Sequence, residues 1–295
     1  MDLNFELKYS GSLSDNNIIN MYDASQALAG FQRSLAITSH LLVHGEIITQ
    51  ATSLKDLDIY LAPVEAGSWK VTAVVAGILG FGTASTDSLF GHLVLSGYSY
   101  VMNVATGADV NYQNGTLQKQ LAEHKTTSGK SLDLSRLDSA VEKCETSIIQ
   151  MHRPIVKSKS ATQAEISCTS NRNPKTPITN LNVTTYEYVS ETYRSPVPNY
   201  FQAKVSSYNI NTFTGRAHFP DFGMRTISFK FSEEAATNEN VQKIISSMQK
   251  NALNNENVSA FVYLRCFRNE TSKGRLKSFF AVDVKTQKEY DVVLT

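Results

Sequence analysis

Residues 71–108 read VTAVVAGILGFGTASTDSLFGHLVLSGYSYVMNVATGA, with Asp87 as their only formal charge. An average soluble chain charges about one residue in four. Built as a helix, residues 88–108 extend about 31 Å, close to the ~30 Å hydrocarbon layer of a bilayer. Residues 71–86 reach only about 24 Å by the same rise. One span fits; a two-armed hairpin is tight. Thr72, Thr83, Ser85, Thr86, Ser96, Ser99, Asn103 and Thr106 stud the run, and Gly77, Gly80, Gly82, Gly91 and Gly97 punctuate it. Small, weakly polar residues let membrane helices approach closely and hydrogen-bond across an interface. The expectation is therefore an oligomerising transmembrane helical segment, with Asp87, His92, Ser96, Ser99 and Asn103 as its pore or span residues. Asp87 also fits the water-exposed turn of a hairpin. The competing reading is a buried helix or hairpin in a protein core, against which stands the lack of a wet face with Lys or Glu every third or fourth residue.

The chain's 295 residues are nearly neutral overall, but residues 1–149 hold nine Lys/Arg against fifteen Asp/Glu, and residues 150–295 hold nineteen against twelve. The halves are suited to different partners. Cys144, Cys168 and Cys266 are odd in number and without a C-x-x-C pair, which suggests neither a disulfide framework nor a zinc site. The start, MDLNFELKYSG, shows no basic and apolar signal regions, so membrane insertion is expected to rest on the internal stretch.

The pattern predicts an α+β protein. Residues 3–9 alternate as a strand, with Leu3, Phe5, Leu7 and Tyr9 on one face. Ser14 or Asp15 caps a long helix carrying Ile18, Tyr22, Leu28, Phe31, Leu35 and Leu42 and ending near Gly45. Strands follow at 59–62 and 68–74, the second running into the apolar stretch, and residues 131–151 have the period of an amphipathic helix that Pro154 ends. The expected organisation is an N-terminal α+β domain at 1–70 with a sheet and long helix, a Gly-rich membrane-inserting segment at 71–108, and an amphipathic helical region at 109–157. A Ser/Thr/Asn/Pro-rich linker occupies 158–198, with one strand near 164–168. Residues 199–295 form a small β-barrel or sandwich, with strands at 201–208, 217–219, 225–231, 259–268, 277–284 and 290–294 and one helix at 239–253.

Catalytic signals are sparse, and no enzyme, cofactor or metal centre is expected. Thr126 to Ser131 ends like a phosphate-binding loop, but the first glycine of that motif falls on His124. His40 and His44 have helical i,i+4 spacing without a third zinc ligand, and Glu46 nominates itself weakly. They read as a solvated helix end. Neither a nucleophile elbow nor H-E-x-x-H occurs; an enzyme with dispersed site residues is the least favoured class.

The basic excess gathers near the end. In residues 261–267, FVYLRCF, alternation sets Val262, Leu264 and Cys266 on one face and Phe261, Tyr263, Arg265 and Phe267 on the other. Aromatics interleaved with Arg on an open sheet form a platform for single-stranded nucleic acid, bases stacking and phosphates neutralised. Tyr263, Arg265, Phe267, Arg268, Lys273, Arg275 and Lys277 are the candidate ligand-binding residues. The alternative sets Phe261, Tyr263 and Phe267 inside the barrel.

Taken in order, the strand and long helix of residues 5–43, the P-x-x-x-G-S-W turn from Pro63 to Trp69, the apolar Gly-rich run, the helix and the basic β-rich end resemble the family of Hailong-type antiphage membrane effectors. That resemblance implies a homo-oligomer, such as a tetramer, forming an ion channel in the bacterial inner membrane with its domains facing the cytoplasm. It also implies a DNA oligomer, made by a partner nucleotidyltransferase, that binds the soluble domain and holds the channel shut until its loss brings growth arrest. The other class of function is a soluble two-domain scaffold or interaction protein, its apolar stretch buried in an oligomer interface.

Overall fold

Alternation organises the first half of the chain. In β1 (Leu3–Ser10), Leu3, Phe5, Leu7 and Tyr9 point into the core, each at most 1% exposed. The computed structural model describes residues 3–48, 57–62, 69–77, 89–108, 114–124, 126–127, 129, 131–169, 175–223, 226–253 and 258–294. They divide into two units, Met1–Ser190 and Glu191–Thr295. In the first, β1 is the middle of an antiparallel sheet whose order is β2 (Leu57–Leu61), β3 (Lys70–Gly77), β1, β4 (Gln163–Thr169), β5 (Thr176–Leu181). Residues 158–190, expected as most of a linker with one strand near 164–168, supply that strand as β4 and in addition a second strand, β5, and a helix. Ala164, Ile166 and Cys168 point inward from β4 in the same period-two pattern as β1.

The helices of this unit are α1 (Met21–His44), α2 (Leu89–Thr106), α3 (Asn114–Glu123), α4 (Leu134–Met151), α5 (Arg153–Val156) and α6 (Val183–Ser190). The first helix starts later than the Ser14/Asp15 expectation. A 3-10 turn takes residues 12–16, Asn17 is left-handed at φ 59°, and the side chain of Asn20 caps α1 by accepting from the Asp23 N–H at 3.0 Å. Gly45, at φ 70°, closes it by donating to the Leu41 carbonyl, the left-handed stop that glycine favours. Pro154 does not end the helical course but sits in the first turn of α5, where its missing N–H costs nothing.

The transmembrane segment is overturned: among the described residues no helix is long and apolar enough to cross a membrane. The beginning of the apolar stretch belongs to β3. Its second part, α2, is a core helix packed against α1 and α4, with Leu93, Val94, Tyr98, Val101, Met102 and Ala105 each at most 1% exposed. Protein, not lipid, replaces the wet face. The small residues serve that packing: a Cβ on Gly97 would stand 2.9 Å from the Leu42 side chain, and the Tyr98 hydroxyl meets Ser34 Oγ at 2.9 Å. Of the expected span residues, Ser99 and Asn103 are buried, Ser96 is half-buried and His92 is exposed. Asp87 lies outside the described residues.

The second unit comprises β6 (Tyr193–Arg194), β7 (Asn199–Asn209), β8 (Thr214–His218), β9 (Thr226–Phe231), α7 (Asn238–Leu253), β10 (Val262–Glu270), β11 (Leu276–Lys285) and α8 (Gln287–Leu294). The strands β7, β8 and β9 form an antiparallel meander; β9 then pairs with β11 in parallel, β11 with β10 and β10 with β7 antiparallel. The ring is closed. Its interior is filled by side chains such as Val205, Phe219, Phe229, Phe231, Leu264 and Phe279. Between the third and fourth barrel strands, α7 packs on β7 and β11, burying Ile244. Ser247 Oγ donates to the Ala260 carbonyl and accepts from the Val205 N–H. A five-stranded ring joined 1-2-3-5-4-1, with a helix between strands three and four, has the connectivity of an OB-type barrel.

Residues 290–294, expected as a strand, are helical. Thr286 and Glu289 form a reciprocal cap, the Glu289 carboxylate accepting from the Thr286 N–H at 2.7 Å and Thr286 Oγ1 accepting from the Glu289 N–H at 3.4 Å. That T-x-x-E spacing is a helix-start signal.

Candidate nucleic-acid interface

Strand alternation divides the candidate residues between the two faces of the barrel wall. Along β10, Val262, Leu264 and Cys266 are buried in the barrel core, while Tyr263, Arg265 and Phe267 lie on the outside. The inward alternative for Tyr263 and Phe267 is thereby excluded. Register then shows what each one faces. Phe267 stands across from Phe280 of β11, and Phe280 across from Lys230 of β9. One step along the strands, Asn269 stands across from Ser278, and Arg216 of β8 across from Ser228 of β9.

The outer surface so formed carries aromatic, cationic and small polar side chains. The Arg194 guanidinium lies 4.0 Å above the Phe280 ring and its Nε donates to Asn269 Oδ1 at 3.3 Å. The Arg216 guanidinium donates to the Thr226 carbonyl at 2.7 Å and to Thr226 Oγ1 at 3.3 Å. Lys230 is exposed. On OB-type barrels the outer face of strands two and three, with the loops joining strands one to two and four to five, is where oligonucleotides and oligosaccharides bind. Here those strands are β8 and β9.

The remaining candidates spread around this face. Lys273 and Arg275 belong to the turn joining β10 to β11, where Gly274 takes φ 79° and Thr271 Oγ1 accepts from the Arg275 N–H. This is the four-to-five loop. Arg268 alternates to the inner side of β10 and pairs with Glu270 at 3.3 Å. Lys277 Nζ donates to the Glu191 carbonyl at 3.4 Å. Phe267 thus lies on the outer face and Lys273 and Arg275 in the turn that follows its strand, whereas Arg268 alternates away from that face.

Tyr263 and Arg265 border a second cluster. Tyr263 is stacked on Tyr290 of α8, ring centroids 3.9 Å apart and planes 7° from parallel, and its hydroxyl donates to Gln287 Oε1 at 2.8 Å. Tyr200 packs edge-on to Tyr290 and donates to Asp283 Oδ2 at 2.8 Å. Burial, followed by that bond to a carboxylate, pushes the Tyr200 phenol up to about 12. Sequence reasoning missed Arg194, Arg216, Lys230, Phe280 and Tyr290. The alternation in residues 276–281 and in 226–231 marks Phe280 and Lys230 as outward, and the T-x-x-E cap at Thr286 was the signal for Tyr290; nothing local marks Arg194 and Arg216, which sheet register brings in.

The histidine pair of α1 and the cysteines have structural surroundings. The His40 and His44 rings lie 4.5 Å apart, tilted by 44°, and are buried, not solvated, with His40 Nδ1 on the Glu46 carbonyl and His44 Nδ1 on Thr127 Oγ1. In the stretch whose sequence ends like a phosphate-binding loop, the Thr127 N–H donates to the Val43 carbonyl. That is the negative end of α1, the wrong pole for phosphate. No cluster of three or more metal-ligating side chains occurs among the described residues. All three cysteines are free and buried, and burial pushes the Cys144 and Cys168 thiols up to about 12.

No curated protein and no solved structure matches the chain. Residues 198–285, which contain the barrel, match a family of unknown function, DUF7947. Residues 5–190 match a domain of unknown function, DUF7946, over nearly the whole first unit, and the chain therefore belongs to the DUF7946 family.

Proposed function

We propose that the chain binds a single-stranded oligonucleotide through its C-terminal barrel and acts as a ligand-responsive effector, not as a catalyst. One observation carries the reading: on a barrel of OB connectivity, the strand-two and strand-three face carries Arg216 and Lys230, and next to Lys230 in register stand Phe280 of strand five and Phe267 of strand four. Bases stack on such rings whatever their identity, and flanking cations neutralise the phosphates. In the scheme that the Hailong-type resemblance implies, the oligonucleotide is the DNA product of a partner nucleotidyltransferase. Its binding restrains the activity of a homo-oligomer. Since α2 is a core helix, that activity is not assigned to it.

The test is fluorescence anisotropy with a labelled oligothymidylate, the intact chain being titrated at about 50 mM and 200 mM salt. Binding that weakens with salt and is competed by single strands more strongly than by duplex is expected. No binding at the lower salt sinks the proposal.

A second reading, a scaffold or interaction protein, is favoured by one feature: Leu13, Ile18, Met21 and Tyr22 are exposed around the start of α1, a patch suited to a second copy. Sizing the chain with and without the oligonucleotide separates them: a stable oligomer that ignores nucleic acid supports the scaffold.

A further inference from the structure

The helix α8 makes with the barrel the two interactions that a nucleotide unit makes with a protein. Its Tyr290 ring lies on Tyr263 at 3.9 Å and 7°, closer and flatter than aromatic side-chain pairs usually choose. The adjacent Glu289 carboxylate meets Lys243 Nζ at 2.9 Å. A flat ring and an anion, one residue apart, thus occupy a ring and a cation of the barrel unit. Beside them lies a cleft of about 820 Å³, lined among others by Lys243, Lys250, Phe261, Gln287 and Lys288. That volume falls within the usual range for small-ligand sites. Basic side chains outnumber the acidic Glu239 along its wall.

We infer that Tyr263 and Lys243 form a second oligonucleotide subsite, taking a base on the ring and a phosphate on the amine, and that α8 closes it in the free chain. The inference rests on the proposed binding of single strands by the barrel. It adds where the strand continues and what it must displace. Gln287, which holds the Tyr263 hydroxyl, and Tyr200, which packs edge-on to Tyr290, keep the helix seated. Displacement frees the Tyr263 face for stacking, while Lys243 keeps its bond to Glu239 at 2.7 Å and exchanges Glu289 for phosphate.

The experiment compares the full chain, a chain ending at Thr286, and Tyr290→Ala in the full chain, each titrated with labelled oligothymidylate. Thermal melts establish that each variant is folded. The truncated chain is expected to bind about tenfold more tightly, a gain in the range of one stacked base, and Tyr290→Ala to show part of it. Adding Tyr263→Ala to the truncated chain should abolish the gain. Equal affinities for the full and truncated chains overturn the subsite and leave the outer-face reading standing. A gain that survives Tyr263→Ala overturns the subsite as well. Binding by neither chain overturns both.

Discussion

Replacing Lys230 by Ala measures how the outer face works. Three cations line this outer face: Arg194 over Phe280, Lys230 across from Phe280, and Arg216 one strand further on, across from Ser228. If each neutralises one phosphate of a single strand, log K falls with log salt at a slope of about −2, from roughly 0.7 per contact. Between about 50 and 200 mM salt the intact chain then loses about 20-fold in affinity. Lys230→Ala leaves two contacts, a slope of about −1.4 and a loss of about 7-fold over the same range. The substitution is on an exposed strand position, so stability should change by less than about 0.5 kcal/mol. The assay is anisotropy at four or more salt concentrations with both oligothymidylate and oligoadenylate, because a phosphate contact weakens both equally. Slopes that stay the same for Lys230→Ala and for Arg216→Ala refute the reasoning, since affinity would then come from elsewhere.

Two further predictions concern the first unit. His152 is fully buried, with Nδ1 at 2.7 Å from the Ile148 carbonyl and Nε2 at 2.9 Å from Thr185 Oγ1, and burial pushes its imidazole from 6.5 down to about 4. The folded state therefore binds the proton more weakly than the unfolded chain. The contribution is complete above about pH 6.5, shrinks as pH falls through the window down to 4, and is lost below it, about 3 kcal/mol in all. Urea midpoints should show wild type losing this increment on acidification and His152→Gln lacking it; parallel curves would exclude His152 as its source. Gly30→Ala should destabilise by about 1–3 kcal/mol, although helix propensity alone favours alanine by about 1 kcal/mol, because the new Cβ falls on the Ser147 carbonyl oxygen of α4. A thermal melt showing a more stable variant would mean that α1 and α4 separate at little cost.

Much of this architecture is legible locally. The alternation of Leu3, Phe5, Leu7 and Tyr9 marks β1, Gly45 marks the end of α1, and the inward Val262, Leu264 and Cys266 set the outward face of β10. The reading of residues 88–108 misled for a physical reason. Glycine and hydroxyl side chains with no charge fit a membrane interface and also a helix enclosed by protein, as Gly97 against Leu42 and Tyr98 against Ser34 illustrate. Composition reports the absence of water at a helix surface, not what replaces it. The strand near 164–168 was legible as β4, whereas β5 and α6 were not, since Ser, Thr, Asn and Pro suit both linkers and the edge of a sheet, and β5 is identified by its pairing with β4. The candidate site followed the same division. One strand's outward residues could be read from its period, but the cations opposite them come from strands tens of residues away.

The closed subsite and the open face together make ligand length the discriminating variable. A segment tethered beside its site competes at an effective concentration in the millimolar range, so a free mononucleotide must reach comparable concentrations before it displaces α8 from Tyr263. A strand already held on Phe267, Phe280 and Lys230 delivers its next nucleotide to the barrel wall with the same intramolecular advantage. The two tethered competitors are then balanced, and each nucleotide beyond the outer face shifts the balance toward the open state. Affinity should accordingly rise smoothly with length while the strand covers only the outer face, then flatten where additional nucleotides must displace the helix. In the chain ending at Thr286 the flattening should vanish, because Tyr263 is already open. A series of oligothymidylates of increasing length reads this directly: identical length profiles for the two chains would mean that α8 is a structural cap and that the strand never reaches Tyr263.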